Sequence, residues 1–98
     1  MKTCVIRQPA GLGDILHLFK VGVRLLETKK ADVIYWPVYS GYNYISEYIS
    51  HPNIIFVDKK EDYPFKQQLE SSNPRQIINT DELLYIPFEI TQECIVNK

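Results

Sequence analysis

Asp14 and His17 are the residues whose type and spacing could carry acid–base chemistry in this chain. They stand three positions apart at the start of an apolar-periodic run, which projects both to one side of a helix near its first turn. A carboxylate there meets unpaired N–H groups and the positive end of the helix dipole. Two readings of Asp14 stay open. It is either a first-turn acid stabilising the helix by roughly 0.3–1 kcal/mol, or a general base that takes a proton from a ligand hydroxyl. His17 either orients that acid, contacts a ligand, or lies solvated on a polar stripe. Just upstream, Gly11 and Gly13 flank Leu12 in a turn. Two residues without side chains leave room for a ligand and permit unusual backbone angles, positive φ included.

Such a group needs a scaffold, and the surrounding pattern describes one. Thr3 to Ile6 reads as a short buried strand, β-branched and apolar, ended by Gln8-Pro9. From Gly13 to Thr28, Ile15, Leu18, Phe19, Gly22, Leu25 and Leu26 recur at helical spacing. His17, Lys20, Arg24 and Glu27 form the opposite stripe. Val33 to Trp36 is a second strand, closed by Pro37, which cannot donate to a central ladder. Tyr42 to Ser50 fits a short helix with Ile45, Tyr48 and Ile49 inward, and Ile54 to Val57 is a third strand. This alternation predicts an α/β fold, a Rossmann-like parallel sheet with right-handed crossovers. In such sheets ligands bind at the carboxyl edge, where strands hand over to helices.

Past Asp58 the pattern weakens. Residues 59–75 read as a polar connection with about one helical turn near Phe65 to Leu69. Ile77-Ile78 and Leu83 to Ile86 are candidate strands, and Pro87 confines the latter to an edge or a strand end. No closing helix is expected. The 98 residues therefore make one incomplete α/β domain, expected to be the front of a longer chain.

Trp36, Tyr35, Tyr39, Tyr42, Tyr44 and Tyr48 crowd together after the second strand begins, with five of the seven tyrosines among them. Aromatic faces with hydroxyl tips suit sugar rings. Core packing accounts for Tyr35 and Tyr48, whereas for Tyr39 and Tyr42, in a loop at the carboxyl edge, packing and sugar contact stand equally open. Charge is uneven: residues 1–30 carry six Lys/Arg against two acids, residues 31–98 five against ten. A basic segment beside the glycine turn would suit an anionic ligand such as a phosphorylated sugar. Alternatively Lys20, Arg24, Lys29 and Lys30 are a solvated helix face and its end.

Several classes are disfavoured. No basic-aromatic stripe tracks nucleic acid. The longest uncharged stretch, Val33 to Ser46, is too short to span a bilayer and is broken by Pro37 and Gly41. No secretory signal is visible, and Cys4 and Cys94 lack metal-ligand spacing, which fits reduced thiols in a cytoplasmic setting. The turn Gly11 to Leu16 departs from a dinucleotide fingerprint, because leucine replaces the third small residue and Asp14 stands where a pyrophosphate would approach.

The stretch VIRQPAGLGDILH resembles the amino terminus of the heptosyltransferase-like (family 9) glycosyltransferases, which have the two-domain GT-B fold. Gly13, Asp14, Ile15, Leu16 and His17 match the family pattern in order, and HPNIIFVD at 51–58 is similar to its His-Pro followed by an apolar strand. The resemblance covers residues 3–58. It implies inverting sugar transfer from a nucleotide-sugar donor to an acceptor hydroxyl, with no obligatory metal and with Asp14 as general base. The donor nucleotide would be held mainly by a carboxyl-terminal domain that these residues do not supply. Gln8-Pro9-Ala10 departs from the common family form, which leaves the acceptor's identity open.

The expected site is then Asp14 as base, with Gly11, Leu12, Gly13, His17, Tyr39 and Tyr42 around a sugar or glycan acceptor, no metal and no cofactor. A reading from a different class stands beside it: a small non-catalytic α/β binding or interaction module. A bare hydrophobic sheet edge or face would favour the first, a covered sheet the second.

Overall fold

The computed structural model describes residues 1–7, 11–47, 49–72 and 74–96, with the side chains of Leu12, Ser40, Asn43, Ser46 and residues 93–96 outside the description. Thr3–Ile6 form β1, in which every residue is buried. It pairs in parallel with β2 (Val33–Val38) on one side and β5 (Leu83–Ile86) on the other. β3 (Ile54–Asp58) extends the sheet in parallel beyond β2, and the two-residue β4 (Ile78–Asn79) runs antiparallel to β5. The order is β3-β2-β1-β5-β4, a five-stranded, mostly parallel sheet of Rossmann-like kind.

β1 and β5 are covered on both faces, which is why these central strands read as unbroken apolar runs. Cys4, Ile6, Ile34, Trp36, Ile54 and Leu84 share one face with Ile15 and Leu18 of α1 (Leu12–Glu27) and with Ile45 of a 3₁₀ segment, Ser40–Glu47. Val5, Leu83 and Tyr85 share the other with Tyr63 and with Leu69 of α2 (Lys66–Ser72). α3 (Phe88–Val96) follows β5 and lies against α1.

α1 approaches the sheet closely at Gly22, where a β-carbon would stand 3.4 Å from the Cδ1 atoms of both Ile34 and Ile54. The helix closes through Lys29, whose φ of 60° turns the chain back. The Lys30 N–H then donates to the Leu25 carbonyl at 2.9 Å and the Lys29 N–H to the Leu26 carbonyl at 3.1 Å, a Schellman closure.

Several expectations are corrected. β2 does not stop at Trp36 but runs through Pro37 to Val38, with Pro37 opposite Val57. The Ile34 N–H donates to Asn53 on the β3 side, so by strand alternation the Pro37 nitrogen faces the β1 side. Pairing with β1 ends at Tyr35, and the missing donor breaks no bond. The helix expected over Tyr42–Ser50 is the 3₁₀ segment; Ile45 is buried, Ile49 packs on the core, and Tyr48 lies outside the described residues.

Of the two places Pro87 allowed for Leu83 to Ile86, an edge or a strand end, the structure has the strand end: β5 is interior and Pro87 follows its last residue. Pro87 also begins the closing helix that the sequence did not promise: its carbonyl accepts from the N–H groups of Ile90 and Thr91, both at 3.1 Å. The polar connection holds a seven-residue helix, α2, rather than one turn. Finally, none of the glycines takes a positive φ. Gly11 is extended (φ −144°) as the N-cap of α1, so its contribution is space rather than backbone freedom. No helix among the described residues is long and apolar enough to cross a membrane.

Candidate functional site

The chain builds β1, β2 and β3 outward in one direction and then returns to lay β5 against the other side of β1. That reversal makes the β1–β5 boundary a topological switch point, the place in an open α/β sheet where a crevice forms beyond the strand ends. Arg7 occupies it. Its N–H donates to the Ile86 carbonyl at 3.0 Å, extending the β1–β5 ladder by one bond beyond the strands.

A cleft of about 220 Å³ opens at this carboxyl rim. Arg7 lines it just past β1, Pro37 and Tyr39 from the end of β2 and just past it, Lys59 just past β3, and Tyr85 and Phe88 from β5 and the start of α3. Pro37 helps form the wall because strand alternation puts it on the same face as Tyr35, the α2 face. Lys59 Nζ lies 4.5 Å from the centroid of the Tyr39 ring. Glu89 adds a carboxylate to the wall and is drawn outward toward Arg75, 3.9 Å away across exposed side chains.

Tyr85 is fully buried beneath the cleft, close enough to Arg7 to feel its charge. Burial pushes the Tyr85 hydroxyl above its ordinary value of 10.0, while Arg7 pulls against that shift. Tyr63 shows the same order of causes, burial first and the Arg7 charge opposing it. Both phenols therefore stay protonated at neutral pH, in reach of the Arg7 charge.

Asp14 sits on the first turn of α1, half-buried, at the same carboxyl rim but on the opposite face of the sheet. Gly11 bounds it on one side, where a β-carbon would lie 3.8 Å from Oδ2. Gly13 has open space around it, and His17 is half-buried one turn further along. Leu12 opens the helix, its side chain outside the description. Asp14, Gly11, Gly13 and His17 form one group and Tyr39 belongs to another, since Asp14 is not among the residues lining the cleft. Tyr42 stands between these roles. Its ring lies 6.5 Å from that of Tyr39, yet it packs against the core beneath α1.

Arg7 and Lys59 are the residues that sequence reasoning passed over. Each stands within two residues of the end of a predicted parallel strand, and that position is the signal that could have found them. The cations singled out instead lie elsewhere. Lys20, Arg24, Lys29 and Lys30 are exposed, and the last two close α1 roughly 24 Å from its rim end by helix rise. Among the described residues no cluster of three or more His, Cys, Asp or Glu could hold a metal ion.

Fold and cleft together define a Rossmann-like α/β protein with a small, cationic, aromatic-walled crevice at its switch point. No family model, curated protein or solved structure matches the chain.

Proposed function

We propose that this chain is the acceptor-side portion of an inverting glycosyltransferase, binding a sugar or glycan acceptor at its carboxyl rim. The observation that carries the reading is the cleft at the β1–β5 switch point, where Tyr39 offers an aromatic face and Arg7 and Lys59 offer donors. Sugar rings present C–H faces and hydroxyl edges, and such a wall matches both. Asp14, on the first turn of α1 at that rim, is the general base. It takes the acceptor hydroxyl proton as the oxygen bonds to the anomeric carbon, while the bond from that carbon to the nucleotide's phosphate oxygen breaks on the opposite side. The nucleotide-sugar is a substrate held by a separate donor-binding domain, and no cofactor or metal takes part in this scheme.

The β3 margin of the sheet supports the reading. Ile55 is exposed there and Tyr35 and Val57 are half-buried, beside a wide groove of about 870 Å³ walled by Tyr63 and Phe65. A further element of a larger enzyme would cover such a margin. Saturation-transfer NMR with hexoses, heptoses and their phosphates tests the binding step, and protection should centre on Tyr39. Asp14→Asn in the enzyme that includes a donor domain should abolish transfer while leaving donor affinity intact. Undiminished turnover in that variant would remove the base.

One observation favours a second reading, a non-catalytic binding module. Asp14 is on the α1 face, whereas the cleft opens on the α2 face. Under that reading the same ligands bind, Asp14→Asn changes nothing, and no nucleotide-sugar is consumed.

A further inference from the structure

A second cavity, of about 470 Å³, adjoins the rim cleft on the α2 face and shares Arg7 and Lys59 with it. Lys60, Lys66, Tyr63 and Glu70 complete its wall, so four cations face one carboxylate. They come from three separate places: the end of β1, the residues after β3, and the first residue of α2. Gathering like charges in one concavity raises the energy of the empty protein, and an anion relieves it.

What holds these cations in place is informative. Lys66 Nζ donates to the Glu61 carbonyl at 2.6 Å and lies 5.7 Å from the Tyr63 ring centroid, and Lys59 Nζ lies over Tyr39. These anchors are neutral: a peptide carbonyl and two ring faces. They fix position without neutralising charge, which is the preorganisation an oxyanion site needs. An arginine fork accompanied by ammonium groups matches the several acceptor oxygens of a phosphoryl group.

We infer that Arg7, Lys59, Lys60 and Lys66 bind the phosphoryl or diphosphate group of a ligand whose remainder enters the rim cleft beside Tyr39. The site stands on its own residues and holds whether or not Asp14 moves a proton. Glu70, the opposing carboxylate in the wall, sets its affinity from the other direction.

Sodium pyrophosphate, titrated at constant ionic strength into isotope-labelled protein, is the direct probe, with glucose 6-phosphate against glucose as the second pair. Saturable amide shifts at Arg7 and across 59–66 are expected. The double variant Lys60→Gln/Lys66→Gln should weaken pyrophosphate by roughly tenfold or more, the scale of two lost charge-assisted contacts. Glu70→Gln should tighten it, a gain that misfolding cannot imitate, and Lys29→Gln/Lys30→Gln should bind as the parent does. Vesicles of phosphatidylcholine containing phosphatidate separate the two sources of a phosphoryl group. Binding to them that the double variant loses, without binding to soluble phosphates, assigns the site to a lipid headgroup. Shifts that grow without saturating and persist in the double variant mean charge screening alone, and they overturn the site. Preference for citrate over pyrophosphate overturns the phosphoryl assignment. None of these readouts depends on sugar transfer, so failure here and failure of the Asp14 base are told apart.

Discussion

Lys59 and Tyr39 meet across the mouth of the rim cleft, the ammonium 4.5 Å from the ring centroid. Their contact joins the end of β3 to the end of β2, so the wall is built by the parallel register itself. An exposed cation–π contact is worth about 0.5–1 kcal/mol, enough to orient a lysine but not to hold a fold together. Tyr39→Ala should therefore weaken binding of a sugar or sugar phosphate several-fold while shifting the melting temperature little. Tyr42→Ala should do the reverse, since Tyr42 packs on the core beneath α1. Parallel ligand titration and thermal unfolding of the two variants separate these outcomes. A Tyr39→Ala protein that binds like the parent would remove the ring from the site.

The Schellman closure of α1 is made by a residue poorly suited to it. Lys29 holds φ 60°, a region where a β-carbon is crowded and glycine is not. Lys29→Gly should stabilise the protein by up to about 1 kcal/mol, because relief of that crowding outweighs the extra freedom of the unfolded chain. The side chain is exposed, so no packing is lost. Urea unfolding followed by the single tryptophan, Trp36, gives the measurement. A fall in the midpoint would show that the closure does not strain Lys29.

Gly22 sets how near α1 lies to the sheet. A β-carbon there would meet the Ile34 and Ile54 methyls at 3.4 Å and Trp36 at 3.6 Å, ordinary contact distances. Gly22→Ala should be tolerated within about 1 kcal/mol, the lost gap being offset by alanine's better helix propensity. Gly22→Leu must push the helix off Trp36 and should cost about 1–3 kcal/mol or more. Because Trp36 sits under that contact, its emission should shift to longer wavelength in the leucine variant. Equal stability of all three proteins would mean the helix is free to move.

The strands and α1 were legible because each carried its own periodic signal: four apolar residues at Thr3–Ile6, a 3.6-residue stripe from Ile15 to Leu26, and an apolar run at Ile54. Pro37 misled, since a proline stops a strand only where its nitrogen is required, and that depends on which neighbour ends first. α3 was missed because Phe88-Glu89-Ile90-Thr91 alternate apolar and polar like a strand after Pro87 and carry little helical stripe. Asp14 was visible as a motif, whereas the cleft was not. Arg7, Lys59 and Tyr85 are far apart in sequence, and only the β3-β2-β1-β5 order brings them together. The basic basin was hidden for the same reason, inside what read as a polar connection.

Burial of three weak acids makes alkaline stability a test of the core. Burial pushes the Cys4 thiol from its ordinary 9.0 up to about 12, with the Lys2 charge opposing the shift. Tyr63 and Tyr85 are likewise raised above 10.0, chiefly by burial. In each case the folded state keeps a proton that the unfolded state releases. The stability they protect is therefore fully present below the unfolded values, and it is lost as pH rises through about 9 for Cys4 and about 10 for the tyrosines toward their folded values. For Cys4 alone the full loss is about 4 kcal/mol. Denaturant midpoints should stay flat from neutral pH to about 9 and then fall. Cys4→Ala should make the early part of that fall shallower while leaving the tyrosine part. Native protein at about pH 8 should also leave Cys4 unmodified by iodoacetamide, as peptide mass mapping would report, until urea opens the sheet. Rapid alkylation of Cys4 in the native state would mean that β1 is not the closed centre of this fold.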